Sequence, residues 1–352
     1  MRSFLASVLG VLVLAAGPGC KPEPEVAAGE RYGEDPDALG AEPEAFASFA
    51  GPQRVLNLRA YEGQVRQLTT DDPEGRFVEG ARVQAYRRFS QNEVDMLLVA
   101  DVDTLQTAVL PSDWMSVHST PAVPATSRRE RLDATFRSTN TPVSQVSRSS
   151  APGHTRVALT VDMCQSQRPW ERGFFEWAIN EGVRRRGPLA INIAMTGIWA
   201  RKHAAEFAQL QTWRSSGALR VTWVNHSFRH PLHCVGAVCS FLTSPNENVA
   251  SEVLSEEVDL LARGETPSLF FRFPGLVHNA RTVAQVSALG LYTTDADAWI
   301  AKGQPLHDGA IILLHGNGNE PAGITRFMRA MEGPWSAALR DKTLEFVALS
   351  DF

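Results

Sequence analysis

The order of apolar and polar residues divides the chain into two folded regions that meet near residue 155. Between residues 51 and 119, short runs at 53–60, 81–86 and 94–100 have a β-type pattern and are separated by polar turns. Such runs predict a small all-β module. After residue 155 the apolar runs are continuous and alternate with amphipathic segments. This pattern indicates parallel strands buried on both faces, with helices between them.

The second region is predicted to be an α/β domain. Its strand signals lie at 157–162, 189–195, 219–226, 268–273, 291–295, 310–315 and 344–350. Strands and helices that alternate in this way predict either a (β/α) barrel or a doubly wound sheet. In the first region, the last run at 108–117 is compatible with the closing strand of an SH3-like barrel.

Two further segments have compositions that do not favour a packed core. Residues 21–50 are rich in Pro, Glu, Ala and Gly, and residues 120–154 are rich in Ser, Thr, Pro and Arg. The first predicts a disordered tether and the second a linker. The predicted organisation is a signal peptide at 1–20, the tether at 21–50, the β module at 51–119, the linker at 120–154 and the α/β domain at 155–352.

The N-terminus has the features of an export signal. Arg2 precedes an apolar run of residues 4–16, which is too short to cross a bilayer, and small residues lead to Cys20. This end resembles the lipobox of bacterial lipoproteins, although Gly17 stands where that motif usually has Leu. The resemblance implies an envelope lipoprotein anchored to the membrane through a lipid on Cys20. The alternative is ordinary signal-peptide cleavage, which would give a soluble periplasmic or secreted protein. Both place the protein outside the cytoplasm.

Charge and cysteine content restrict the partners and the redox chemistry. The chain has 34 Lys and Arg against 39 Asp and Glu, a net charge of -5, with no basic tract. Nucleic acid is therefore not an expected partner. Without Cys20, the three remaining cysteines allow one intramolecular disulfide and leave one thiol over. Cys234 and Cys239 are near neighbours, but the sequence leaves the pairing with Cys164 open.

Several predicted strands end in a residue with chemical capacity. Because the carboxyl ends of parallel strands open on the same face, these side chains are expected to converge. They are Asp162, His226, Arg272, Asp295 with Asp297 just after it, and His315.

His226 and His230 are four residues apart, a spacing that lets two imidazoles reach one divalent cation. The spacing alone carries little weight, but Asp162 could complete a three-ligand site or accept a proton from water. His315 could act as a general acid, and Arg272 could orient a carboxylate. The combination predicts a hydrolytic metal site.

Five segments carry these residues in order: Leu159–Cys164 (LTVDMC), His226–His230 (HSFRH), Arg272–Gly275 (RFPG), Asp295–Trp299 (DADAW) and Ile311–His315 (IILLH). They resemble the motifs T-F-D-D-G, H-S/T-x-x-H, R-x-P-x-G, Asp-Trp and L-x-H of the NodB-type polysaccharide deacetylases, carbohydrate esterase family 4. Residues 193–199 also resemble that family's second strand. The resemblance covers residues 155–352.

The resemblance implies a distorted (β/α) barrel and one bound divalent metal, zinc in preference to cobalt. It also implies removal of N-acetyl groups from amino-sugar polymers. It implies metal binding by His226 and His230 and orientation of the catalytic carboxylate by Arg272. Trp299 would line the acetyl pocket, with Phe273 and Pro274 beside the substrate, and His315 would protonate the leaving amine.

The first motif departs from the family pattern. The family's first Asp is the general base and its second is a metal ligand; here they correspond to Asp162 and Met163. A thioether is a poor ligand for such a dication. Either Asp162 joins the ligands, as a ligand alone or as a shared ligand and base, which is the interpretation we favour, or it remains only the base while the metal is held by two histidines, waters and Cys164. The third motif is one residue short, and Gly316 follows His315 instead of Asp.

The sequence therefore predicts a metal-dependent deacetylase that acts on an N-acetylated glycan of the cell envelope, either peptidoglycan or an exopolysaccharide. A dication on His226 and His230, with or without Asp162, would activate water, and His315 would protonate the nitrogen. The alternative is a catalytically inactive NodB-like lipoprotein that binds glycans through Trp299 and Phe273.

Overall fold

The computed structural model describes residues 52–73, 75–139, 141–231 and 240–351. The predicted signal peptide and tether, including Cys20, lie outside the described residues, as do Cys234 and Cys239. The described residues all belong to one compact unit.

The N-terminal part of the described chain is an antiparallel sheet, which agrees with the predicted all-β module. Its strands are β1 (Val55–Ala60), β2 (Arg66–Gln67), β3 (Arg82–Gln91), β4 (Val94–Asp101) and β5 (Thr107–Pro111). They are ordered β1-β3-β4-β5, with β2 also paired to β3. The run at 108–117 is not one strand, because Pro111 ends β5 and helix α1 (Ser112–Ser116) follows. Proline cannot donate to a ladder, whereas its backbone suits the start of a helix.

Residues 120–154, where the composition predicts a linker, contain helix α2 (Arg128–Thr139). The Ser127 hydroxyl accepts a hydrogen bond from the Glu130 backbone N–H at 3.2 Å, and Leu132 is buried. The following residues pair with the C-terminal sheet through isolated bridges from Val143 to Thr294 and from Gln145 to Ala310. The composition does not predict this helix because its sequence is mostly polar, and the buried Leu132 packs it against the core.

The C-terminal part is a curled parallel sheet with helices between its strands, which confirms the predicted distorted (β/α) barrel. In the described residues the strands are β6 (Thr155–Met163), β7 (Leu189–Met195), β8 (Leu219–Asn225), β9 (Phe270–Arg272), β10 (Tyr292–Thr294), β11 (Ala298–Trp299), β12 (Ile311–His315) and β13 (Leu344–Val347). Their order is β10-β9-β8-β7-β6-β12-β11, with β13 also on β6. The end strands β10 and β11 are unpaired with each other in this order, so the barrel is open.

Helices connect and cover these strands. They are α3 (Arg172–Arg185), α4 (Gly197–Lys202), α5 (Ala204–Ser215), α6 (Val249–Ala262), α7 (Ala280–Ala288), α8 (Pro321–Glu332) and α9 (Ser336–Arg340), with short 3-10 helices at Pro274–Leu276, Ile300–Lys302 and Leu349–Asp351. Among the residues that the structure describes, none of the helices has the length and apolarity that crossing a membrane requires.

The alternation of side chains along β6 decides which residues reach the barrel interior. Val161 and Met163 belong to the outer hydrophobic core, together with Phe175 of α3. Since successive side chains of a strand point to opposite faces, Thr160 and Asp162 point inward. Asp162 is thereby placed at the carboxyl end of the sheet, in register with His315 of β12.

A buried ion pair joins the N-terminal sheet to the barrel. Arg87 of β3 and Glu257 of α6 are both inaccessible to solvent, with Nε to Oε2 at 2.5 Å and Nη2 to Oε1 at 2.8 Å. The hydroxyls of Tyr86 and Thr107 donate to the carbonyl of Pro267 at 3.1 and 2.8 Å. The N-terminal sheet therefore contacts helix α6 and the segment that follows it.

Candidate active site

Asp162 and Arg272 form the centre of the candidate site, and both are buried. Arg272 Nη1 donates to Asp162 Oδ1 at 2.8 Å and to the Thr160 hydroxyl at 2.6 Å. Its Nη2 donates to the carbonyl of Asp295 at 3.1 Å. Burial opposes ionisation, but the Arg272 guanidinium outweighs it and holds the pKa of Asp162 below its ordinary value. Asp162 is therefore a carboxylate near neutral pH.

His226 lies beside this pair with a defined tautomer. Its Nδ1 is 2.8 Å from the carbonyl oxygen of Arg272, which can only accept, so Nδ1 carries the proton. Burial lowers the pKa of His226 despite the neighbouring Asp162 charge, which favours the neutral ring. Nε2 is then left with a lone pair, and it faces Asp162 Oδ2 at 3.6 Å. His226 Nε2 and Asp162 Oδ2 are thus two buried acceptors that face each other, and a cation bound between them would stabilise this arrangement.

His230 completes the pair of imidazoles. Its ring centroid is 4.8 Å from that of His226, and its Nδ1 is 3.3 Å from the carbonyl oxygen of Pro231. Burial and the neighbouring His226 lower the pKa of His230 to about 3. Metal-binding histidines are neutral and commonly donate the other ring N–H to a backbone carbonyl, as both rings do here.

The imidazole pair fits a zinc or cobalt ion in the chemistry of its donors. In the part of the chain that the structure describes, no three His, Cys, Asp or Glu side chains form a group arranged to hold a metal ion. Asp162 is held by Arg272 on one oxygen and faces His226 with the other. The role of Asp162 as a third ligand therefore stays a prediction.

The two residues after Asp162 do not contribute anionic ligands. Met163 is buried in the outer core, where its Sδ lies so close to Gly316 that a Cβ there would approach it to 2.7 Å. Cys164 is also buried, and burial raises the pKa of its thiol to about 12. The Asn317 side-chain amide donates to Cys164 Sγ at 3.0 Å. Cys164 is therefore a neutral thiol, which is a weak ligand.

His315 is half-buried at the end of β12 and is held by a residue that the sequence did not single out. Its Nδ1 is 2.9 Å from Glu320 Oε2, and Trp299 Nε1 donates to the same oxygen at 2.9 Å. Burial opposes ionisation of Glu320, but the His315 hydrogen bond and charge, with the Trp299 hydrogen bond, hold its pKa below the ordinary value. The available signal was an acid just before Pro321, where α8 begins.

The predicted substrate-binding residues Phe273, Pro274 and Trp299 differ in how far they are buried. Phe273 and Pro274 are buried, and Phe273 packs against Phe271 with a 5.0 Å centroid distance. Lys302 Nζ lies 3.3 Å from the ring centroid of the half-buried Trp299. The substrate-binding roles of these residues stay predictions.

The acids that follow β10 are partnered by other histidines. Asp295 Oδ2 is 3.8 Å from His278 Nε2, and Asp297 Oδ2 is 3.1 Å from His307 Nε2. The Asp297 carboxylate also accepts the Ile311 backbone N–H at 2.9 Å.

No family model matches the chain. Among solved structures, the chain is similar to a family 4 carbohydrate esterase from Bacillus anthracis, with 18% identity, a TM-score of 0.44, and coverage of 62% of this chain and 90% of that chain. It is similar to a family 4 carbohydrate esterase from Streptomyces lividans in complex with acetate, at 22% identity and a TM-score of 0.38, covering 56% and 94%. It is also similar to BA3943, a pseudoenzyme of that family from Bacillus anthracis, at 15% identity and a TM-score of 0.36, covering 59% and 73%.

Proposed function

We propose that this protein is a metal-dependent hydrolase that removes N-acetyl groups from an amino-sugar polymer of the cell envelope, peptidoglycan or an exopolysaccharide. The observation that carries the proposal is the direct contact of Asp162 with Arg272 and its approach to His226 at the carboxyl end of a parallel sheet. His230 lies against His226, and His315 is in register with Asp162. The motif resemblance of residues 155–352 supports the same chemistry.

In this proposal each of the site residues has a defined role. His226 and His230 would hold the dication, zinc first and cobalt second, which when bound supplies a Lewis acid for the acetyl carbonyl. Asp162, kept ionised by Arg272, accepts the proton of the attacking water, and in the interpretation we favour it would also join His226 and His230 as a ligand. His315 donates a proton to the nitrogen that leaves, because an unprotonated amine is a poor leaving group. Glu320 holds His315 Nδ1, so Nε2 is the nitrogen available for proton transfer.

We also propose that the mature protein is exported and anchored to the membrane by a lipid on Cys20, with an N-acetylated glycan as its substrate. Soluble periplasmic or secreted protein is the alternative. The lipobox-like end at Cys20 supports the anchor. Labelled palmitate incorporated into wild type but not into Cys20→Ala would support it, and equal labelling of both would contradict it.

A specific observation favours a second candidate function, glycan binding without catalysis. Met163 takes the place of the family's second carboxylate, and its side chain belongs to the hydrophobic core. In the described residues, no three-membered group of metal-binding side chains is present. An inactive barrel could retain a glycan cleft while losing metal affinity.

Acetate release separates the two functions. Protein lacking residues 1–20 is incubated with N-acetylglucosamine oligomers or peptidoglycan, with and without added zinc or cobalt. We expect metal-dependent acetate release that is lost in Asp162→Asn and His226→Ala and kept in His154→Ala, a histidine exposed to solvent. Equal rates in all variants would remove the site assignment. Glycan binding with neither bound metal nor acetate release would establish the second function instead.

A further inference from the structure

The turn that carries His226 and His230 has an unusual backbone. Ser227 has φ of +65° and His230 has φ of +34°, although neither is a glycine. Positive φ is unfavourable for residues with a Cβ and persists where the surroundings impose it. The surroundings of this turn therefore determine where its two imidazoles lie.

Glu252 of α6 holds the turn from its amide side. Its Oε2 accepts the backbone N–H groups of Phe228 at 3.1 Å and Arg229 at 2.8 Å, and its Oε1 accepts Arg229 Nε at 2.5 Å. Glu252 is buried. Three donors converge on this side chain, and only an ionised carboxylate accepts all of them without presenting a hydrogen of its own.

Gln165 holds the same turn from its carbonyl side. The Gln165 side-chain amide donates to the Arg229 carbonyl at 2.8 Å, and Gln165 is also buried. Gln165 follows β6, so it links the turn to the strand that ends near Asp162. The N–H and the C=O of Arg229 are thus both bound by buried side chains from separate elements.

We propose that Glu252 and Gln165 are positioning residues that hold the His226–His230 turn in the conformation in which both imidazoles can bind one cation. The catalytic consequence of this inference rests on the proposed function. Neither side chain has a task in proton transfer there. Their effect passes through the backbone of Phe228 and Arg229.

The test uses Glu252→Gln with Glu247→Gln as a matched control. Glu247 pairs with Arg229 Nη2 at 2.5 Å, so the control weakens the Arg229 side-chain pairing and leaves the carboxylate that binds the backbone in place. In metal-free protein, amide hydrogen exchange is measured for residues 226–230. We expect Glu252→Gln to speed exchange at Phe228 and Arg229 about tenfold, because an amide N–H now faces one of the donors, and we expect the control to behave as wild type.

Zinc affinity, measured by titration calorimetry, should fall about tenfold to a hundredfold in Glu252→Gln, the range seen when groups that orient metal ligands are lost. In acetate release, kcat should fall while KM is kept. Gln165→Met removes the side-chain amide that donates to the Arg229 carbonyl and keeps a similar side-chain volume. It should change hydrogen exchange and zinc affinity in the same direction as Glu252→Gln. This variant tests the inference even if Glu252→Gln does not fold.

Wild-type exchange and zinc affinity in both Glu252→Gln and Gln165→Met would overturn the inference. Failure of the proposed function has a different signature. A wild-type protein that neither binds zinc nor releases acetate would refute the hydrolase, whereas hydrogen exchange would still decide whether Glu252 and Gln165 hold the turn.

Discussion

Arg272 reaches across the inside of the barrel to Asp162, with Nη1 2.8 Å from Oδ1. The two residues lie on β9 and β6, which are separated in the sheet by β8 and β7. The Arg272 side chain is inaccessible to solvent and that of Asp162 is 5% exposed. The ion pair therefore links β9 to β6 across the inside of the curled sheet. It also keeps the Asp162 carboxylate charged beside His226.

Replacing Arg272 with Met should destabilise the fold by about 3–5 kcal/mol, because it leaves Asp162 buried without a counter-charge. Denaturant unfolding measures the loss. Arg156→Met is the matched control, since Arg156 pairs with Glu345, whose side chain is 60% exposed, and such pairs contribute about 0–1 kcal/mol. A similar loss of unfolding free energy in both variants would contradict the large contribution predicted for the buried Asp162–Arg272 pair.

Glu320→Gln should reduce kcat for acetate release by about tenfold to a hundredfold, a part of the contribution typical of general acid catalysis. The carboxylate oxygen of Glu320 serves both His315 and Trp299, and an amide matches that pair of donors less well. Steady-state kinetics at saturating glycan measure the effect. Glu332→Gln changes an exposed acid at the other end of the same helix and should leave kcat unchanged. Equal kcat in the two variants would mean that Glu320 does not orient His315.

Glu256→Gln should make stability less sensitive to rising pH. Glu256 is inaccessible to solvent, and in the described structure neither carboxylate oxygen has a hydrogen-bond partner. Burial, with the nearby Asp259 charge, raises the pKa of Glu256 well above its ordinary value.

The sign follows from proton linkage. Above the unfolded-state pKa, about 4.3, the unfolded chain has released this proton while the folded chain retains it. The contribution is thus fully present below that pH and is lost as the pH rises toward the folded-state pKa. Unfolding free energies at pH 5 and pH 8 should differ less in Glu256→Gln than in wild type. Glu345→Gln, at an exposed site, should keep the wild-type difference, and an unchanged difference in Glu256→Gln would refute the prediction.

Gly197→Ala should disturb the histidine turn directly. A Cβ at Gly197 would lie 2.2 Å from Cδ2 of Phe228 and 2.8 Å from Oε2 of Glu256. Overpacking of this kind costs about 1–3 kcal/mol, and we expect reduced zinc affinity together with a lower Tm. Gly173→Ala is also in the first turn of a helix, but its added Cβ meets nothing within 4 Å. If Gly197→Ala matches Gly173→Ala in Tm and zinc affinity, the close contact with Phe228 is not a constraint.

Part of the site was predictable from the sequence because strand geometry is periodic. The continuous apolar run of β6 identifies a strand buried on both faces, and alternation then sends Asp162 and Met163 to opposite sides. Parallel strand direction, in turn, brings the strand-end residues Asp162, His226, Arg272 and His315 to one edge of the sheet. Helix α2 was missed because its sequence is polar and its burial depends on Leu132.

The sequence by itself determined the alternating strands and helices of an α/β domain, the strand ends and the residue types at those ends, since hydrophobic periodicity and chain direction are local properties. The choice of a barrel over a doubly wound sheet came from the motif resemblance. Only the tertiary structure decided how those residues are held. Glu252 comes from the first turn of a helix, and Gln165 and Glu320 come from loops, where no periodic signal marks a side chain for a distant partner. Their roles depend on which donors and acceptors folding brings within about 3 Å, and that distance is set by packing across the whole molecule.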